Sequence, residues 1–176
     1  MSISASLVKQ LREQTGAGMM DCKKALEQTT GNMEAAIDVL RKKGAANAER
    51  KAGRIASEGI IGQWISDDGS QAVMVEVNCE TDFVAKDESF CGFVAEILQV
   101  IAVNRPTDLE ALGELALGAS GSVNETRLVL IWRVGGNIGI RRFECIEAAL
   151  GSVLSGYLHG QRIGVVMGVQ GGKSTL

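Results

Sequence analysis

The chain predicts an α+β fold in two parts, a helical unit followed by a core of antiparallel strands and helices. Three observations carry this. Apolar residues recur at three and four positions over residues 1–43, alternate at every second position from Ile55, and return to helical spacing from Phe90. With 176 residues, 45% of them apolar and 22% charged, the chain is long enough to bury a core.

In the first helix Leu7, Val8 and Leu11 share a face, and Gly16 is a suitable stop. The second turns Cys22, Ala25 and Leu26 inward. The third carries Met33, Ala36, Ile37 and Leu40, with Asn32 as N-cap and Gly44 just past its end. Three short helices make a marginal core, so this unit is expected to lean on a neighbour. The stretch 44–54, GAANAERKAGR, is expected to be a basic linker helix with a solvated surface. From Arg41 to Arg54 six basic residues face Glu49 alone, a density that suits phosphates. No aromatic residue precedes Trp64, so the sequence offers nothing nearby to stack on bases, and direct nucleic-acid binding is not expected.

The first core unit spans 55–148. EGIIGQWIS and QAVMVEVNC bracket DDG, a hairpin in which Val73, Val75, Val77 and Cys79 face one way. Phe90, Phe93, Val94, Ile97, Leu98 and Ile101 form the stripe of an amphipathic helix. Pro106 marks a break, Gly113 to Gly121 reads as a loop after a short helical piece, and Gly135 and Gly136 stop a further helix. IGIRRFECIE is a strand whose apolar parity shifts between Ile140 and Phe143, the mark of a bulge. Residues 149–176 hold a second hairpin around His159–Gly160, the opening of another strand–strand–helix unit that is expected to be incomplete.

Composition excludes several classes. The formal charge of −3 is not that of a generic nucleic-acid binder. No apolar run is long enough to span a bilayer, and MSISASLVKQLRE lacks the apolar block of a secretory signal. Cys22, Cys79, Cys91 and Cys145 occur singly and read as reduced, mostly buried thiols of a cytoplasmic protein. His159 is the single histidine, which excludes a His-rich metal site, and Asp67 and Asp68 read as turn residues. The tail GVQGGKSTL is no phosphate loop: three residues separate Gly168 from Gly172 where four are needed, and no helix follows.

Two stretches stay open on pattern alone. In TGAGMMDCKKAL, Met19 and Met20 either plug the small core or present soft apolar surface to a partner. In NCETDFVAKDESF, Phe83 stands seven residues before Phe90, nearly in line with the helical stripe, which suits a core side chain. Lys86 and Asp87 interrupt that stripe, however, and Asp87 as N-cap would leave 80–86 as an exposed corner.

LVKQLREQTGAGMMDCKKALEQTTGNMEAAIDVLRKKGA and EVNCETDFVAKDESF resemble the bacterial elongation factor Ts family, the nucleotide exchange factors of elongation factor Tu. VGGNIGIRR and GYLHGQRIGVV resemble its later motifs, in order; residues 105–125 match least. The resemblance implies a ubiquitin-associated-like three-helix domain, a short linker and an α/β core of two related subdomains. It implies elongation factor Tu as partner, no catalytic residues, and no metal or cofactor of the chain's own, since GDP and Mg²⁺ belong to the partner. By motif position Asp82 and Phe83 become an intruding pair beside the partner's magnesium and phosphate site. Val134 and Gly135 become a contact to its phosphate-loop region, His159 a core contact, and Arg12, Met19 and Met20 a contact surface of the helical domain.

The family usually has Glu where Gly136 stands and often Asn where Asp87 stands. Its members usually continue through the rest of the second subdomain, so the strands of 149–176 are expected to expose an apolar face and a free edge. A chain that docks elongation factor Tu without exchange, or serves in a larger translation or replicase-type assembly, is the alternative. Dimerisation is left open.

Overall fold

The computed structural model describes residues 3–118 and 121–171. The helical unit comprises α1 (Ala5–Thr15), α2 (Met19–Gln28) and α3 (Met33–Lys51). Ser4 and Asn32 cap α1 and α3 by accepting from the backbone N–H groups of Leu7 and Ala35, and Gly16 ends α1 in the left-handed region at φ 65°. Val8, Leu11, Cys22, Ala25, Leu26, Ala36 and Leu40 form the small core that the helical spacing predicts.

The third helix corrects an expectation. It does not stop at Gly44 but runs on to Lys51, 19 residues in all, so most of the stretch expected to be a separate linker, residues 44–51, is its second half. The reason is packing. Leu40 belongs to the first core, Ala48 to the second, and a buried Gly44 lies between them. A Cβ on Gly44 would stand 3.3 Å from the Trp132 ring, so glycine permits close crossing there at a helix-propensity cost of about 1 kcal/mol. Lys51 is also buried, its Nζ donating to Ile131 O at 3.5 Å, and burial lowers its pKa. One face of 44–54 is therefore packed, not solvated.

The second unit is built on β1 (Glu58–Ile65), β2 (Gln71–Cys79) and β3 (Ile138–Glu147), an antiparallel sheet in that order. Asp68 closes the β1–β2 turn by accepting from Ser66 and Ser70, which holds its carboxyl down at about 2. The predicted bulge is present: Glu76 pairs with Arg142 and Val77 with Ile140, leaving Arg141 unmatched. After β2 come α4 (Asp82–Ala85), α5 (Glu88–Asn104), α6 (Leu109–Glu114) and α7 (Val123–Val134). Gly113 lies within α6, so the loop begins after it rather than at it. The α5 stripe packs with Val73, Val75, Val77 and Cys79 in one core, which α7 joins through Leu130 and Ile131.

A last hairpin, β4 (Ser152–His159) and β5 (Ile163–Gln170), lies against the other face of β1–β2. Leu154 N donates to Gly69 O at 2.7 Å, Ile61 N to Gln161 O at 2.7 Å, and Gln63 Nε2 to Val165 O at 3.0 Å. Its inward face carries Leu154, Leu158 and Gly164. Its outward face leaves Val153, Tyr157, Ile163, Val165, Met167 and Val169 exposed, the apolar face the sequence led one to expect, and no helix covers it among the described residues. Among the described residues all four thiols are free and no helix is long and apolar enough to cross a membrane. The glycine-rich tail from residue 172 lies outside the described residues.

Because α3 serves both cores, Gly44→Leu should force the Trp132 crossing apart and lower stability by about 1–3 kcal/mol in urea unfolding followed by tryptophan emission.

Candidate functional site

Three loops meet at one end of the three-stranded sheet, where Cys79 is paired with Glu58 on one side and Ile138 on the other. They are the β2–α4 corner, the α7–β3 turn and, beside β1, the β4–β5 turn. Each is shaped by its local sequence.

At the corner two N-caps stand six residues apart. The Thr81 hydroxyl accepts from Val84 N at 3.3 Å and starts the short α4. Asp87 accepts from Ser89 N at 2.9 Å and Phe90 N at 3.3 Å, and so starts α5 afresh. The Ser89 side-chain hydroxyl foremost, with the Ser89 and Phe90 amides behind it, holds the Asp87 carboxyl below its usual range. The apolar stripe of α5 thus begins at Phe90, which is fully buried, and Phe83 is not part of it. The Phe83 ring is 82% exposed. The alternative in which it continues the core is excluded. Asp82 beside it pairs with Lys86 at 3.0 Å, which lowers its carboxyl pKa through the hydrogen bond and the charge. Cys79 and Cys91 brace the corner from within, donating to Thr81 O at 3.2 Å and Ala85 O at 3.4 Å.

In the α7–β3 turn Gly135 caps α7 in the left-handed region at φ 77°, donating to Ile131 O at 3.0 Å. Val134 is half-buried, Gly135 exposed and Gly136 buried. The turn is tied to the corner by a residue that spacing did not single out. Glu80 Oε1 accepts from Asn137 N at 2.6 Å, and the same oxygen lies 3.6 Å from Arg54 Nη1. Asn137 Nδ2 in turn donates to Arg54 O at 3.0 Å. Glu80 therefore fastens the corner, the turn and the end of the helical unit together. A Cβ at Gly136 would lie 3.5 Å from Glu80 Oε1, so a Glu there would set two carboxylates side by side; glycine avoids this. The only sequence signal for Glu80 was an acid directly following an apolar strand.

The β4–β5 turn is held to the first sheet by an Arg162–Glu58 ion pair and the Ile61–Gln161 backbone bond. His159 is exposed at its start, with Nδ1 3.1 Å from the Tyr157 hydroxyl. Arg12, Met19 and Met20 sit apart, on the helical unit. The methionines are 59% and 62% exposed, which excludes a core role, and Arg12 is exposed as well. No hydrogen bond or ion pair links these three to the corner among the described residues. Their unit is joined to α7 through Gly16 against Val129 and Gly44 against Trp132. Among the described residues no cluster of three metal-ligating side chains occurs.

The family model described as Elongation factor TS matches residues 80–176, beginning at Glu80 itself. The chain belongs to the elongation factor Ts family. Elongation factor Ts of Thioalkalivibrio sulfidiphilus is 55% identical over 177 residues, covering all of this chain and 60% of that protein. That of Hydrogenovibrio crunogenus is 48% identical over all of this chain and 59% of its own length. That of a Psychrobacter species is 50% identical over 97% of this chain and 57% of its own length. The chain thus spans about 60% of the length of these relatives. Family membership agrees with the helical unit followed by an α/β core.

Two outcomes are expected. Glu80→Ala should speed hydrogen exchange at the Asn137 amide by roughly tenfold or more, the loss of a charged hydrogen bond, while Glu80→Gln restores part of the protection. Asp87→Ala should cost about 1 kcal/mol of stability near neutral pH. Since the folded pKa of Asp87 is depressed, that difference should be full above about 4 and fade as pH falls through the folded value in urea titrations.

Proposed function

We propose that the chain acts as a guanine nucleotide exchange factor: it binds elongation factor Tu and promotes GDP release, with Phe83 entering beside the partner's magnesium and phosphate site. The observation that carries this reading is the 82% exposure of an aromatic ring on a corner whose other exposed side chains are Thr81, Asp82 and Lys86. Entry of that ring into a partner's pocket would remove from water apolar surface that the free fold leaves exposed.

No covalent bond is made or broken, and the chain brings neither nucleotide nor metal. An exchange factor binds the nucleotide-free partner more tightly than the loaded one, and linkage requires it to weaken nucleotide binding by the same factor. A thousandfold acceleration needs about 4 kcal/mol of differential interaction. Burial of one Phe supplies roughly 1.5–3 kcal/mol. Phe83 therefore leads but does not suffice. Asp82, Val134 and Gly135, His159, and the Arg12, Met19 and Met20 surface share the rest. Glu80 acts through the others: it holds the corner and the turn at one separation, so that their contacts form together rather than in sequence. Loosening the groups around the partner's Mg²⁺ removes the counter-charge of the phosphates, which then leave.

The second reading, a module that docks elongation factor Tu without competent exchange, is favoured by the uncovered outer face of β4–β5, next to which His159 stands. Copurification with the partner without faster GDP release would select it.

Phe83→Ala should leave the circular dichroism unchanged and slow stimulated release of fluorescent GDP from elongation factor Tu by about ten- to a hundredfold in stopped flow. Unchanged release would remove Phe83 from the mechanism.

A further inference from the structure

The six basic residues from Arg41 to Arg54 are not equivalent in the fold. Arg41 pairs with Glu125 at 3.6 Å, Arg54 with Glu80 at 3.6 Å, and Lys51 is buried against Ile131 O. These three are occupied in joining the helical unit to the core. Lys42, Lys43 and Arg50 have no carboxylate within ion-pair distance among the described residues. Residues 42, 43, 46, 47 and 50 fall on one side of the helix, flanking the buried Leu40, Gly44 and Ala48.

The fold adds to this face what the sequence lacked nearby. Trp132, 82 residues beyond Arg50 in the chain, enters from α7, its ring edge against Gly44; it packs on the small helical core and stays partly exposed. Together Asp21, Lys42, Lys43, Asn47, Arg50 and Trp132 line a shallow open cleft of about 470 Å³. Cations beside an aromatic face are the chemistry of a nucleotide strand: the phosphates take the lysines and arginine, and a base stacks on the indole. Asp21 and Asn47 supply an acceptor and an amide for the base edge, a carboxylate being suited to the amino group of cytosine. A free nucleotide is bound in pockets that enclose most of its surface, and this cleft does not, whereas one stretch of a longer strand needs only a platform.

We propose that this cleft is a contact site for single-stranded RNA, formed only when the helical unit is docked on α7. It is independent of the corner carrying Phe83, so it can fail while nucleotide exchange stands, and the reverse.

The test uses the full chain carrying Trp64→Phe, which leaves Trp132 as the sole indole, titrated with a short cytidine oligoribonucleotide. Trp132 emission should be quenched saturably. Three phosphate contacts on a single strand give affinity that falls about twentyfold between roughly 50 and 200 mM salt. Combined Lys42→Glu, Lys43→Glu and Arg50→Glu substitution should abolish the quench with unchanged circular dichroism. Lys43→Gln alone should lower the logarithmic salt slope by about 0.7. Absence of quenching overturns the proposal, as does binding that survives the triple reversal. Cytidine monophosphate or a duplex binding as tightly as the strand overturns it too, and so does a polyglutamate peptide, which would mark an acidic-protein surface instead.

Discussion

Everything distinctive in this molecule depends on how the chain leaves β2. An ordinary strand-to-helix connection would run the helix straight on, and the first large aromatic would become its first core side chain. Here Thr81 and Asp87 each accept backbone N–H groups and each start a helix, so four residues are cut off as a separate turn. The turn is too short to carry a stripe, and its aromatic has no core to enter. Two hydrogen-bonding side chains, each worth about 1 kcal/mol, thereby decide the fate of a ring whose burial is worth more than either.

That corner is useful because it is held. Glu80 ties it to the turn after α7 and, through Arg54, to the end of α3. The latter helix is the mechanical link of the molecule: Leu40 anchors it in the small core, Ala48 in the large one, and Gly44 lets Trp132 lie close between them. Contacts on the helical unit and contacts on the sheet end are thus carried by one continuous support. A partner that grips both surfaces meets them already arranged, which saves the ordering cost of binding with a loosely tethered domain.

Most of the architecture was legible from the sequence because it is written in short-range chemistry. Asn32 and Gly16 bound their helices, DDG closes its hairpin, and the parity change between Ile140 and Phe143 falls at the bulge opposite Glu76 and Val77. What was illegible is long-range. Gly44 reads as a stop because glycine usually is one, and only the Trp132 ring, far away in sequence, shows why it lies inside a helix. Glu80 reads as one more acid in a polar loop until Asn137 is brought to it. On spacing alone the Met19–Met20 pair is balanced between core and surface and Phe83 leans slightly to the core; exposure puts all three on the surface. Family likeness suggested their contact roles, and exposure is the property those roles require.

The most direct measurement is hydroxyl-radical footprinting of the chain alone and of the chain saturated with nucleotide-free elongation factor Tu. Phe83 should be strongly oxidised and Phe90 not at all in the free chain, with Phe83 protected in the complex. A Phe83 ring as unreactive as Phe90 before any partner is added, or one as reactive after as before, would contradict this.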